Sequence, residues 1–243
     1  MTFDIFCALC VHLSAMIYLI PTHLGNPDPS LLPAYIKMQL EACDVLFVEH
    51  LKTARHFLKS MQVQKAIDDF QWELLDKDTD DASLSKYIAL AKDKTCGILS
   101  EAGVPAVADP GAALVKMAHR QQIPVKPMIG PSSLILALMG SGMNGQQFSF
   151  HGYLPVDKAA RIQRIKQLEQ NARKDRSTQL FIETPYRNNA LLNDLVEQLA
   201  GDTLLCIGAD LTLDSELLQT KKIKEWKQAL PDLNKRPCVF LIG

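Results

Sequence analysis

Gly140-Ser141-Gly142-Met143-Asn144-Gly145 puts three glycines into six residues and interrupts a regular alternation of strand and helix patterns. The run also spells G-x-G-x-x-G, the fingerprint of a dinucleotide-binding loop. That fingerprint works only where it follows a strand and opens a helix, because the helix N-terminus must meet the pyrophosphate. Here it follows a helical pattern, Ser132–Met139, and precedes a strand pattern, Phe148–Leu154. It therefore reads as a linker and divides the chain near residue 142.

Upstream of the linker, Ile17–Thr22, Val45–Glu49, Gly97–Ser100 and Val125–Ile129 are short apolar runs of the kind that form buried strands, and Ile67–Leu74 is a further candidate. Between them, Leu31–Glu41, His50–Ser60, Ala82–Lys92 and Leu114–Gln121 have helical periodicity. This alternation predicts a mainly parallel sheet with helices on its faces. Downstream, strand patterns at Phe148–Leu154, Thr178–Glu183, Thr203–Leu211 and Val239–Ile242 alternate with helical ones at Ala159–Ala172, Asn189–Leu199 and Glu225–Leu230. A charged segment lies between the last two of those strands. The expectation is an α/β chain of two domains, 16–141 and 142–243, preceded by an extension, 1–15. Ligands of such sheets bind outside the carboxyl ends of the strands, and clefts between domains are favoured sites.

Composition narrows the function. The chain has 243 residues, 47% of them hydrophobic and 22% charged, which excludes disordered and collagen-like classes. Net charge is −1, which argues against coating nucleic acid by bulk charge. Residues 1–130 hold 12 Lys+Arg and 15 Asp+Glu (12 − 15 = −3), and residues 131–243 hold 14 and 12 (14 − 12 = +2). The basic excess lies in two runs, Lys158 to Arg176 and Lys221 to Arg236, either solvated helix faces or a local phosphate grip.

The first fifteen residues, MTFDIFCALCVHLSA, are apolar but too short to span a bilayer and lack the basic start of a signal peptide. Met16 directly precedes a strand pattern, so the working domain is expected to start there. Cys7 and Cys10 have C-x-x-C spacing without a second pair or a histidine cluster, so no metal site is expected. The other cysteines, 43, 96, 206 and 238, read as free thiols of a reducing cytoplasm. No transmembrane run appears elsewhere. A phosphate loop, a Gly-x-Ser-x-Gly elbow and a zinc-binding helix are all missing.

Four loops follow strands and have unusual composition. Pro21 to Pro29 carries Gly25, which permits close backbone approach, between stiffening prolines. Leu99 to Gly111 is long for a strand-to-helix connection and mixes Glu101 and Asp109 with small residues; its carboxylates suit a ribose or an ammonium group, and Asp109 equally suits a turn or cap. Ile129-Gly130-Pro131-Ser132-Ser133 opens a helix, where free N–H groups make a polar cradle or are simply capped. Phe181 to Arg187 ends a strand at Glu183, followed by Tyr186 and Arg187, for base stacking, phosphate pairing or a salt-bridged helix start.

Taken in order, these loops resemble the tetrapyrrole methylase superfamily of two-domain S-adenosylmethionine-dependent methyltransferases. The greatest likeness is to the branch that methylates a cytidine ribose 2′-hydroxyl of small-subunit ribosomal RNA. The branch pattern P-T-P-I-G-N-L-x-D stands here as Pro21-Thr22-His23-Leu24-Gly25-Asn26-Pro27-Asp28. S-D-A-G-T-P-x-I-S-D-P-G stands as Ser100 to Gly111, with Glu101 for the first Asp. P-G-P-S-A stands as Ile129 to Ser133, F-x-G-F-L-P as Phe150 to Pro155, and F-Y-E-S-P-H-R as Phe181 to Arg187. The resemblance implies S-adenosyl-L-methionine in a cleft between the domains. The residues it assigns to the cofactor are Leu24, Gly25, Asn26, Ser100, Glu101, Ala102, Gly103, Gly130, Pro131, Ser132, Ser133, Glu183, Thr184 and Pro185. It also implies a homodimer acting on ribosomal RNA or the small ribosomal subunit.

Two charged motifs depart from the branch pattern. A-E-D-T-R becomes Val48-Glu49-His50-Leu51-Lys52, and R-E-L-T-K becomes Ala209-Asp210-Leu211-Thr212-Leu213. A ribose hydroxyl is a weak nucleophile and calls for a base, for which Glu49 and His50 are the candidates. The departures bear on the RNA acceptor more than on the cofactor. A small-molecule methyltransferase of the tetrapyrrole or corrin type, and a cofactor-binding protein without transfer activity, are the alternatives.

Overall fold

Strand periodicity of two builds the first sheet. In a computed structural model, which describes residues 15–243, five strands form it: β1 (Met16–Ile20), β2 (Val45–Val48), β3 (Gln71–Leu74), β4 (Thr95–Leu99) and β5 (Val125–Pro127). Their order is β3-β2-β4-β1-β5, and every neighbouring pair is parallel. Tyr18, Ile20, Leu46 and Val48 face helices α1 (Tyr35–Ala42) and α2 (Leu51–Ser60), packing with Ile36, Leu40, Phe57 and Leu58. The alternate residues Ile17, Val45, Phe47 and Ile98 face α3 (Asp81–Ala91) and α4 (Gly111–Arg120), packing with Leu84, Ile88 and Leu114. Both faces are covered, so the central strands β1, β2 and β4 read as apolar runs. All carboxyl ends point to one edge.

The candidate strand at 67–74 is a 3-10 turn, Ile67–Asp69, followed by β3. The extension expected at 1–15 and the Cys7/Cys10 pair lie, Ala15 apart, outside the described residues. Cys43, Cys96, Cys206 and Cys238 are free and buried, and burial pushes the thiols of Cys43, Cys96 and Cys238 up to about 12, so they stay protonated.

The second sheet is mixed. It contains β6 (Phe148–Tyr153), β7 (Thr178–Ile182), β8 (Leu204–Ala209), β9 (Leu217–Lys222) and β10 (Cys238–Ile242), in the order β6-β7-β10-β8-β9. β6 is parallel to β7, whereas β10 lies antiparallel between β7 and β8, and β9 is antiparallel to β8. β9 fills the segment that reads as merely charged. It is an edge strand, and its Lys221 and Lys222 are the kind of residue that keeps an edge from pairing further. One face packs α6 (Lys158–Asp175) and α7 (Asn188–Gln198) through Ile165, Leu168, Leu191 and Leu195 against Phe181 and Phe240, with α8 (Ile223–Trp226) beside them. The other face packs α5 (Ser133–Ser141) through Ala137 and Leu138 against Leu180, Cys206 and Leu241.

By contact, the chain forms one unit from residues up to His23 plus Pro27–Pro131, and a second from Leu24–Asn26 plus Ser132–Gly243. The break falls between Pro131 and Ser132, earlier than the expected boundary at 142, because the mostly apolar helix α5 buries its face on the second sheet. The glycine run is the end of that helix: Gly142 takes φ +69 as its left-handed C-cap. Asn144 Oδ1 then accepts from the N–H groups of Gln146 and Gln147, turning the chain into β6.

The basic run on α6 is partly internal. Arg161 donates through Nε to Asp194 Oδ2 at 2.7 Å, and its carboxylate partner is 5% exposed. Arg173 pairs with Asp202 at 2.9 Å and lies near Glu169. Asp194→Ala strands a largely buried guanidinium and is expected to cost about 3–5 kcal/mol in urea unfolding; a cost below about 1 kcal/mol would show the pair to be dispensable.

Candidate active site

The carboxyl edge of the first sheet gathers the loops after β1, β2, β4 and β5. The β1 loop is stitched to the β4 loop: Thr22 N–H donates to the Gly103 carbonyl at 2.9 Å, and Thr22 Oγ1 to the Ser100 carbonyl at 3.2 Å. Ser100 Oγ closes its own turn on the Gly103 carbonyl at 2.6 Å. Gly103 sits at φ +73, a conformation a β-branched residue resists. Gly103→Val is therefore expected to open the Thr22–Ser100–Gly103 knot and to remove cofactor binding in calorimetry; unchanged affinity would move the cofactor elsewhere.

After β5, Gly130 lies against the Pro21 ring so closely that a Cβ there would fall on the Pro21 Cβ and Cγ atoms. On the neighbouring turn, His23 Nε2 contacts Ser60 Oγ at 3.0 Å. Ser60 spends its proton on the Phe57 carbonyl, so His23 donates from Nε2 and leaves Nδ1 a buried acceptor with no protein partner. Burial lowers the His23 pKa, against the opposing charge of Asp28.

After β2 and β4, four ionisable groups meet. Glu49 is raised to about 7, first by burial, then by the charges of Asp109 and Glu101 and a hydrogen bond with Asp109; His50 acts in the opposite sense. His50 Nδ1 lies 3.4 Å from Glu101 Oε2, and both side chains are well exposed. Both candidate bases and Glu101 thus come together, but only Glu49 is withdrawn from solvent. Asp109, which reads as a turn residue, has that role in part: its Oδ1 accepts from Ala106 N–H at 3.0 Å and Gly111 N–H at 2.8 Å. Ala102 lies exposed in the same loop.

The second unit has its own carboxyl edge. Glu183, Thr184 and Pro185 follow β7, and the loop from Asp210 to Glu216 follows β8, which runs in the same direction. Leu24–Asn26 joins this edge: Asn26 Nδ2 donates to the Thr212 carbonyl at 3.1 Å, and Gly25, at φ +116, lies beside Leu213. Thr212, at φ +79, has a buried Oγ1 without a protein partner. Ala137 abuts Gly208, while Ser141 at the other end of α5 accepts from Thr220. The N-terminal Ser132 and Ser133 therefore lie toward the same edge, whereas Gly130 and Pro131 belong to the first unit. Ser132 is the N-cap of α5 but makes no side-chain capping bond.

Glu183 takes the salt-bridged arrangement. Its Oε1 accepts from Arg187 Nη2 at 2.6 Å and from Thr184 N–H at 2.6 Å, and the side chain is 1% exposed. It braces the loop, and Thr184 and Pro185 follow it. Asp210, absent from the expected set, is buried and takes Arg236 Nε at 2.7 Å and Ser215 Oγ at 3.0 Å. Its signal was the motif position after β8, where the branch pattern has an acid.

These loops fit S-adenosyl-L-methionine. Within the first unit they offer Gly130, where a Cβ would intrude, and the buried His23 Nδ1; within the second, taken by itself, they offer the buried Thr212 Oγ1. Among the described residues no group of three or more His, Cys, Asp or Glu is placed to hold a metal ion.

The fold is shared with solved methyltransferase structures. Over 94% of the chain, the structure matches the methyltransferase CobJ with TM-score 0.61 and 15% identity, covering 92% of that chain. It matches uroporphyrin-III-C-methyltransferase from Thermus thermophilus with TM-score 0.55 and 18% identity, covering 92%. No protein-family model matches the chain. Among curated proteins, it is 31% identical over 235 residues to the ribosomal RNA small subunit methyltransferase I of Leptospira borgpetersenii, covering 95% of this chain and 88% of that one. The Mesorhizobium japonicum protein of the same name is 30% identical over 233 residues, with 95% and 76% covered. The Micromonospora olivasterospora one is 31% identical over 214 residues, covering 87% of this chain but only 64% of that protein. The chain belongs to the ribosomal RNA small subunit methyltransferase I family.

Proposed function

We propose that this chain transfers a methyl group from S-adenosyl-L-methionine to a ribose 2′-hydroxyl of small-subunit ribosomal RNA. The observation that carries the reading is the 30–31% identity to ribosomal RNA small subunit methyltransferases I across 95% of the chain. The cofactor supplies a methyl group on a sulfonium centre, already activated for in-line displacement. The residues proposed to hold it are Leu24, Gly25, Asn26, Ser100 to Gly103, Gly130 to Ser133, and Thr184 and Pro185, with Glu183 bracing its loop through Arg187. Their work is positioning. Glu49 is the proposed base: burial and its acidic neighbours give it a proton affinity suited to neutral pH. His50 is proposed to orient Glu101 through its Nδ1 contact at 3.4 Å.

Cations outside the internal pairs, such as Lys166, Lys174 and Arg176 on and after α6 and Lys224 and Lys227 around α8, are the proposed phosphate contacts. A homodimer belongs to the same reading, supported by Ile135 and Met139, one turn apart on α5 and 45% and 73% exposed. A cytoplasmic location is supported by the buried free thiols. No helix among the described residues is long and apolar enough to cross a membrane.

The test is incubation with labelled S-adenosyl-L-methionine and either small ribosomal subunits lacking ribose methylation or a small-molecule extract. Label in RNA is expected. Label only in a small molecule favours a tetrapyrrole or corrin-type acceptor, and binding without transfer favours a non-catalytic protein.

A further inference from the structure

Between Glu49 and Asp68 the chain holds four Lys or Arg, at 52, 55, 59 and 65, and no Asp or Glu (4 − 0 = +4). This local excess lies in a half, residues 1–130, whose balance is 12 − 15 = −3. Helix α2 displays it. At about 100° per residue, Lys52, Arg55, His56 and Lys59 share one face, within an arc of about 100°. All four are exposed, whereas Ala54, Phe57 and Leu58 on the opposite face are buried. Lys65 is spent inside the unit, where its Nζ donates to the Cys43 carbonyl and lies over the Phe70 ring. Lys52, Arg55 and Lys59 make no ion pair among the described residues, and the Arg55 guanidinium rests 5.8 Å from the centroid of the Trp72 ring. In the second unit, by contrast, Arg161, Arg173, Arg187 and Arg236 are each paired with a carboxylate.

A cationic face is what the edge around Glu49 otherwise lacks. The loops after β1, β4 and β5 contribute Asp28, Glu101 and Asp109, and their residues 21–34, 100–110 and 128–132 include no Lys or Arg. RNA carries a negative charge at every phosphate, so such an edge repels it unless cations stand beside it. Lys52 lies three residues beyond Glu49, and Lys52 to Lys59 spans about 10 Å of helix. The exposed positions of α2 hold no large apolar residue, so the face lacks the anchor with which a basic helix enters a lipid surface.

We propose that the outer face of α2 is an RNA-docking surface: Lys52, Arg55 and Lys59 grip phosphates of the strand whose ribose reaches Glu49. This rests on the proposed transfer to ribosomal RNA, and it adds a phosphate contact beside the acceptor to those proposed in the second unit. The three cations position the strand and take no part in moving the methyl group or the proton.

The test is equilibrium binding of the full chain to small ribosomal subunits lacking ribose methylation, over a range of salt and without cofactor. In Lys52→Gln/Arg55→Gln/Lys59→Gln, affinity should fall about tenfold or more at low salt. The slope of log K against log salt should flatten by about two, at about 0.7 per phosphate contact of a single strand. Cofactor affinity and the unfolding midpoint should not move, because the three side chains are exposed and outside the proposed cofactor loops. Lys92→Gln/Lys116→Gln/Arg120→Gln is the comparison. It removes the same charge from exposed positions after α3 and on α4, at the other face of the same sheet, and should leave affinity within a few-fold. Equal losses in the two variants would reduce the effect to net charge and overturn the proposal. An unchanged salt slope in the α2 variant, or binding to phosphatidylserine vesicles in place of the subunits, would overturn it as well. Methyl transfer to RNA with unchanged affinity in the α2 variant contradicts the docking surface and leaves the proposed function standing. Binding through these cations by a chain that transfers no methyl group contradicts the proposed function, not the docking surface.

Discussion

Gly130→Ala should weaken S-adenosyl-L-methionine binding and lower methyl transfer by about 100-fold, the rate effect expected of misplacing reacting groups by about 1 Å. The added Cβ would overlap ring carbons of Pro21, and neither partner yields easily. A proline ring is fixed to its backbone, and Pro21 follows β1, the strand that lies between β4 and β5. Relief must come from moving the Gly130 turn or the Pro21-Thr22 turn, and the second carries the Thr22 bonds to Ser100 and Gly103. The overpacking should also cost about 1–3 kcal/mol of stability. Calorimetric titration with the cofactor, beside thermal unfolding, checks both. Unchanged affinity in a folded variant would remove the β5 loop from the cofactor site.

Glu49→Gln should lower methyl transfer by about 10²- to 10⁴-fold while leaving cofactor affinity within a few-fold, the range for loss of a general base. The residual rate should lose its dependence on pH around 7. A second consequence has the opposite sign. Glu49 binds its proton more tightly in the folded chain than in the unfolded one, so its contribution to stability is present at low pH and is lost as pH rises from about 4.5 through 7. Glutamine carries no such charge, so the variant should melt higher than the parent above pH 7. A variant less active but not more stable there would mean that Glu49 is solvated, and an active one would end its role as base.

Strand and helix patterns were legible where burial is two-sided. The central strands β1, β2 and β4 follow from apolar runs, because a parallel sheet must be covered on both faces, whereas the edge strands β3 and β5 are short and only partly buried. The boundary between units was not legible. Local punctuation at Gly140–Gly145 marks a helix end, whereas membership of α5 in the second unit depends on which sheet covers Ala137 and Leu138, a tertiary fact. β9 escaped for the complementary reason: an edge strand buries little, so Leu217–Lys222 shows charge rather than alternation. The candidate loops stand out by composition and order, but the partners of their side chains do not. The pairing of Glu183 with Arg187 was one of the readings open in sequence. The meeting of Glu49 with Asp109, sixty positions apart, and of Asn26 with Thr212 joins segments that only the sheets bring together.

The most direct test of the account is to supply the purified chain with labelled S-adenosyl-L-methionine and small ribosomal subunits that lack ribose methylation, and then to map the label. Label is expected in the ribosomal RNA at a ribose 2′-oxygen, and Glu49→Gln should lose it. Cofactor binding with no label in RNA, or label found only in a small molecule, would contradict it.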